Sequence, residues 1–330
     1  MPVSAKDKAI IARKRDNHEL KPKKKYRITN WREYNNALRN RGSLVVWISE
    51  EALRNWEGAP QKTVGRPNTY SDGAIEMVLT IGKVFHQPLR QTQGLAGSIV
   101  QLLGIMLPVP DFSTLSRRSR TLQIQLPKRI REESIVLIMD STGLKVYGEG
   151  EWKTKKHGVS KHRTWQKLHL AIDMNGEIRA TVLTPSNTVD AAVVPDLLDQ
   201  ESASVDEVLG DGSYDQKTVY TECAQKGIKK ITIPPRKDAI LWQKKRDKGP
   251  PPLRDLYVKR IWETSREIWE NEVRYHRRSL VENTFHRFRK CFGGMLNAHR
   301  TETQTTEVRI ACAALNRMTH LGMPKSVAVA

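Results

Sequence analysis

Apolar residues recur along the chain in two rhythms, and the change between them near residue 130 divides it. Between 69 and 125 the spacing is helical. Ser71 precedes DGAIEMVLTIGKVF, where Ile75, Val78, Leu79, Gly82 and Phe85 recur at helical spacing, so a helix capped by Ser71 is predicted. QPLRQTQGLAGSIVQLLGI gives two further helical pieces with Gly94 and Gly97 near a bend. PDFSTLSRRSRTL opens another helix, with Ser113 as its cap and Arg117, Arg118 and Arg120 on the next turns. Short helices, a tight turn and a basic final helix fit a helix-turn-helix layout and an ordinary helical bundle equally well. Upstream, SLVVWIS at 43–49 reads as a strand, EEALRNW as a short helix capped by Ser49, and GAPQKTVGRPN at 58–68 as a basic linker.

Beyond 130 the pattern is that of alternating strands and helices. SIVLIMDSTGLKVYG (134–148) is an apolar run of the kind found in a strand buried on both faces. TWQKLHLAID (164–173) alternates, Asn175-Gly176 supplies a hairpin turn, and EIRATVLTP (177–185) returns. A helix is expected at 188–199, a strand at 204–211, a helix at 215–227, a strand at 229–235 and a long helix at about 274–292. The order β-β-β-α-β-α-β-α is that of ribonuclease-H-like domains. The predicted fold is therefore α/β: a mixed five-stranded sheet flanked by helices, preceded by a mainly helical region. The expected divisions are a basic flexible arm at 1–30, a small α/β module with linker at 31–68, the helical region at 69–128, the ribonuclease-H-like domain at 129–322 and a tail at 323–330.

Charge adds a partner. The 330 residues carry 56 Lys plus Arg against 36 Asp plus Glu, a net +20. Self-repulsion of that size works against a compact state, and a polyanion turns it into attraction. The excess sits in two stretches, +9 over residues 1–42 and +11 over 229–300. No apolar run approaches the roughly 20 residues that a membrane span needs. The N-terminal stretch has no apolar core of a secretory signal. The three cysteines, Cys223, Cys291 and Cys312, contain no CxxC and read as free thiols in a reducing compartment. Gly143 and Gly148 have phosphate-loop spacing but Glu149 follows where a lysine is required, and there is no HExxH, so an ATP-driven motor and a zinc hydrolase find no support.

Three carboxylates fall where such a fold would bring them together: Asp140 at the end of the first strand, Asp211 at the end of the fourth, and Glu282 in the late helix. Convergent carboxylates repel unless cations share the site, and hard oxygen donors select Mg²⁺ or Mn²⁺. Two such ions roughly 3.5–4 Å apart can activate water or a 3′-hydroxyl and stabilise the leaving oxygen of a phosphodiester. Any one Asp at a strand end is by itself more often a turn former. Asp173 reads as a hairpin residue and Asp215 as a helix cap. Lys161, His162, Arg163, Lys167 and His169 form a basic strand entry that could track DNA. Trp152 and Trp165 are weaker candidates for base stacking.

The segment YHRRSLVE (275–282) fits Y-x2-R-x3-E, with Arg289 at the position where the pattern continues to Lys and Lys290 next to it. This resembles the signature of DDE transposases of small bacterial insertion sequences. NWREYNNALRNRGSLVVWI, MDSTGLK, RTWQKLHLAID, DGSYD and IPPRKDA are similar to the same family. The resemblance implies that Asp140, Asp211 and Glu282 hold two Mg²⁺, with Mn²⁺ able to substitute, and drive strand cleavage and strand transfer. It implies that Tyr275 and Arg278 contact DNA phosphates, and Arg289, Lys290, Lys167, Arg117 and Arg118 are further DNA-binding candidates. The expected partners are double-stranded DNA, at inverted-repeat ends and at a target, and further copies of the chain. No membrane and no nucleotide cofactor are expected, and the expected location is the bacterial cytoplasm at the nucleoid. A nuclease that cuts without joining, and a DNA-binding regulator with a vestigial catalytic domain, are the alternatives.

Overall fold

β1 (Lys25–Ile28) and α1 (Trp31–Arg41) come first in the computed structural model, which describes residues 25–58, 68–130, 133–146, 165–244 and 249–329. The expected arm up to residue 24, most of the linker, and Trp152, Lys161, His162 and Arg163 lie outside the described residues. Three helices follow: α2 (Leu44–Trp47), α3 (Glu50–Arg54) and α4 (Asp72–Val84). The strand expected at 43–49 is thus corrected to a helical turn. A five-residue apolar run cannot separate strand from helix, and here Trp47 is fully buried while Val45 is 81% exposed. Ser49 and Ser71 cap α3 and α4 as expected, accepting the amides of Ala52 and Ala74.

α5 (Leu89–Leu102) and α6 (Phe112–Arg118) complete the helical region. The cap of α6 is Asp111 rather than Ser113: its Oδ1 accepts the amides of Ser113 at 2.8 Å and Thr114 at 3.0 Å. α4 and α5 approach closely at Gly82, where an added Cβ would lie 2.3 Å from Thr92 Oγ1.

The sheet is built from β2 (Ile135–Val146), β3 (Trp165–Ile172), β4 (Ile178–Pro185), β5 (Val205–Leu209) and β6 (Lys230–Thr232). A 3₁₀ turn (Asp190–Val193) and α7 (Val194–Asp199) lie between β4 and β5. A 3₁₀ turn (Gly212–Tyr214) and α8 (Lys217–Gln225) lie between β5 and β6. The order is β4-β3-β2-β5-β6, antiparallel on the β3–β4 side and parallel on the β5–β6 side. The first and fourth strands of the sheet are therefore neighbours, as the ribonuclease-H-like reading requires. α9 (Leu253–Glu263), α10 (Arg266–Glu272) and a 3₁₀ turn (Tyr275–Arg278) lead into α11 (Ser279–Phe292). The single helix expected from 274 is thus interrupted, because Arg274 adopts φ +55° and the next turn is tighter.

β7 (Met295–Leu296) makes the sheet six-stranded instead of five. Gly293 turns the chain at φ +82°, and two residues pair with Lys145 and Val146 of β2, too few for a pattern to announce. α12 (Thr301–Leu321) and β8 (Ser326–Val329) end the chain; β8 lies where a tail was expected. Two compact units result, one of the described residues 25–42 and 321–329 and one of 43–320. In the first, β1 and β8 pair antiparallel with Lys25 opposite Val329, and Asn30 Oδ1 accepts the Lys325 amide at 2.7 Å.

In the second unit, strand periodicity sorts side chains onto two faces. Ile138, Leu144, Leu168, Leu170 and Leu209 pack with Val281, Phe285, Phe288 and Phe292 of α11 and with α12. Leu137, Met139, Ala171 and Val208 pack with α7, α8 and Tyr214. β2 is buried on both sides, which is why its sequence is continuously apolar up to Asp140. Among the described residues no helix is long and apolar enough to cross a membrane.

Candidate active site

Parallel pairing of β2 with β5 aligns Ile138 with Leu209. Two residues further along each chain stand Asp140 and Asp211, side by side at the carboxyl end of the parallel pair. Asp211 caps the 3₁₀ turn that follows, its Oδ1 accepting the Ser213 amide at 2.8 Å. Gly210 is required here, since a Cβ would meet the Tyr214 ring at 2.9 Å. Glu282 lies in the first turn of α11, whose apolar stripe docks on the Asp140 face of β2.

Asp140 Oδ1 accepts the Ser141 amide at 2.8 Å, and Oδ2 receives Arg278 Nη1 at 2.9 Å. The same guanidinium pairs with Glu282, one helical turn later. Burial pushes the Asp140 carboxyl above the usual aspartate range. The Ser141 amide and Arg278 oppose this, while the charges of Asp211 and Glu282 add to it. Asp211 and Glu282 therefore both act on Asp140. Among the described residues no group of three or more His, Cys, Asp or Glu side chains stands arranged to hold a metal ion as it is. The donor chemistry nevertheless fits a divalent cation. The groups are all-oxygen and two are anchored on the sheet, and Asp140 is short of positive charge even with Arg278 beside it.

Tyr275 hydrogen-bonds the Gly210 carbonyl at 3.3 Å and leans on Trp269, with ring centroids 6.0 Å apart. Burial pushes its hydroxyl up to about 12, with Asp211 and Asp140 adding to the rise and Arg278 opposing it. Tyr275 and Arg278 thus face the carboxylates. Arg289 reaches back to the Thr142 hydroxyl, and Lys290 is exposed. Arg117 is exposed on α6, whereas Arg118 ties α6 to the start of α4 through the Tyr70 carbonyl and Asp72. Lys167 is not beside the three carboxylates. Its ammonium lies 2.8 Å from Asp190. Trp165 stands at the start of β3 over Gly143.

Asp173 holds the β3–β4 turn, accepting the amides of Asn175 and Glu177. Asp215 is corrected from helix cap to buried ion pair: Arg254 Nε donates to it at 2.7 Å, and the cap position of α8 is Gln216. Sequence reasoning also missed Asp190. It sits under β2 on the face opposite Glu282, with Lys167 Nζ 2.8 Å and His169 Nδ1 3.4 Å from its Oδ1. Burial raises its carboxyl, but Lys167, His169 and Ser141 beside it more than reverse that, leaving it far below the usual range. The available signal was Lys167 and His169 two apart on one strand, which places two basic side chains on one face.

Two family models, both described as Transposase DDE domain, match this sequence at residues 39–149 and 131–317. Among solved structures, the chain is similar to the Drosophila P element transposase strand transfer complex. Identity is 12%, covering 60% of this chain and 43% of that one, with a TM-score of 0.28. It is also similar to the Mos1 mariner paired end complex with Mn, at 11% identity over 86% of this chain and 91% of that one, with a TM-score of 0.22. The chain spans less than half the length of the P element protein. The second family model alone covers more than half of the sequence and takes in β2, β5 and α11 with all three carboxylates, and on that match the chain belongs to the DDE transposase family.

Proposed function

We propose that this protein is a transposase that binds the terminal inverted repeats of its own mobile element and carries out divalent-metal-dependent DNA cleavage and strand transfer. The observation that supports this most is the placement of Asp140 on β2 and Asp211 two residues past the paired β5, with Glu282 linked to Asp140 through Arg278. Asp140, Asp211 and Glu282 would hold two Mg²⁺, or Mn²⁺ in their place. When bound, the ions supply Lewis-acid charge at the scissile phosphate. The chain's own part is to fix the oxygens. β2 holds Asp140, the turn after β5 holds Asp211, the Ser141 amide orients the Asp140 carboxylate, and α11 brings Glu282 from one side.

The helical region at 69–128 and the basic stretch before it are proposed to recognise DNA, and the region at 129–322 to act on it. Exposed Arg117 and Lys290 suit phosphate contacts. Arg118, Arg289 and Lys167 join them only by exchanging a present partner. Cutting and joining two ends calls for at least two catalytic centres, so a homo-oligomer on DNA is proposed.

The test is donor cleavage and joining on DNA carrying the inverted repeats. Asp140→Asn should lower the rate by roughly 10³-fold, about 4 kcal/mol of transition-state stabilisation. Cleavage at the wild-type rate by that variant would overturn the assignment. Release of ends that are never joined to a target would instead mark a nuclease. DNA affinity should fall steeply with salt, because each neutralised phosphate releases counter-ions.

A further inference from the structure

The guanidinium of Arg278 lies between two of the three carboxylates. Nη1 holds Asp140 Oδ2 at 2.9 Å, and Nη2 pairs with Glu282. Asp140 Oδ1 is already taken by the Ser141 amide, so Oδ2 is the oxygen most free to change partner. Glu282 is more exposed, its side chain 55% open to solvent, and Arg278 restrains it from one turn away. A guanidinium carries five N–H donors, no acceptor, and a charge that no working pH removes. It therefore asks for the same lone pairs as a divalent cation, and the two cannot both have them.

Arg278 sits on the short 3₁₀ turn between Arg274 and α11, and its side chain is about one quarter exposed. It can reach outward as well as inward. A DNA phosphate accepts a guanidinium fork as a carboxylate does, so leaving Asp140 for a phosphate exchanges one charge-assisted pair for another.

We propose that Arg278 is an exchangeable counter-ion: it closes Asp140 and Glu282 to divalent metal in the absence of DNA and releases them when a DNA phosphate draws it out. This rests on reading Asp140 and Glu282 as metal ligands. Because linkage is reciprocal, DNA tightens metal binding and metal tightens DNA binding by the same factor. The device keeps a protein that is off DNA from carrying a loaded site, so the cutting centre assembles only on its substrate.

The experiment is Mn²⁺ binding to the full-length protein without DNA, read from the paramagnetic resonance signal of the free ion. Arg278→Gln should bind Mn²⁺ about tenfold tighter than wild type, within the ~5–150-fold range usual for coupled sites. Adding Asp140→Asn to Arg278→Gln should abolish that gain. Equal or weaker Mn²⁺ binding by a folded Arg278→Gln protein overturns the proposal. If that variant does not fold, Arg278→Lys replaces it. A point charge cannot span both carboxylates, so a smaller gain of the same sign is expected, and no gain overturns the counter-ion role. The Asp140→Asn protein separates the two levels of the argument. Unchanged Mn²⁺ binding in both backgrounds means that Asp140 is no ligand and the underlying reading fails. Weaker binding there, with no gain in Arg278→Gln, means that only the counter-ion role fails.

Discussion

Asp140 stands on β2 and Asp190, from the 3₁₀ turn after β4, packs against the opposite face of that strand, and their surroundings have opposite effects. Asp190 is half-buried beside Lys167 and His169 on β3 and Ser141 on β2, and these more than offset its desolvation. Asp140 is half-buried beside one guanidinium and two like charges, and desolvation prevails. One side chain is finished by the protein itself. The other is left short of positive charge, at the place where the sheet opens. A carboxylate that lacks compensation is costly to keep, and such sites persist where function needs them.

The largest break in this comparison should come from Asp190→Ala. It leaves Lys167 and His169, on one face of β3, without their anion, and should cost about 3 kcal/mol in a urea titration. A loss well under about 1 kcal/mol would mean that the pair behaves as a surface pair. The pH dependence should separate the two residues next. Asp190 has a folded-state pKa below its unfolded one. Its contribution is present above the ordinary aspartate value and is lost as pH falls through the lowered folded value. Asp140 has its folded-state pKa raised. Stability should therefore decline as pH rises from the ordinary aspartate value through the raised one. Metal-free melting of wild type and each Asp→Asn variant across the acid range would show slopes of opposite sign.

Asp140→Asn, the change expected to stop cleavage, should for the same reason stabilise the metal-free protein by about 1 kcal/mol at neutral pH. A destabilised Asp140→Asn would show that the Arg278 pair outweighs the burial cost. Ser141→Ala is the smallest step. It removes a polar neighbour that helps to lower the Asp190 carboxyl while keeping the amide that orients Asp140, and should cost about 0.5–1 kcal/mol.

What could be read in advance follows the same division. The succession of strands and the caps at Ser49 and Ser71 were visible because each is written in a short stretch of neighbouring residues. The continuous apolar run of β2 could belong only to a strand covered on both faces. Asp190 was hidden inside a segment that reads as plain helix, because its three partners lie 21 or more residues away on other strands. Asp215 looked like a cap for the same reason: Arg254, its partner, is 39 residues on. The inward turn of Arg278 was also not legible. Helical spacing put Tyr275, Arg278 and Glu282 on one face, but the 3₁₀ turn after Arg274 decides where that face points. β7 was too short to carry a pattern, and the five apolar residues of 44–48 carried two patterns at once.

Gly210 gives this a consequence for reading relatives of the chain. The Tyr214 ring occupies the space that any side chain at 210 would need, so the path of the backbone into Asp211 depends on an atom that is not there. A copy in which drift had replaced that glycine would still display all three carboxylates at their proper intervals. It would pass every inspection by motif while its second aspartate stood in the wrong place. Silent copies of such an element are therefore to be sought at the small residue before the acid as well as at the acid itself.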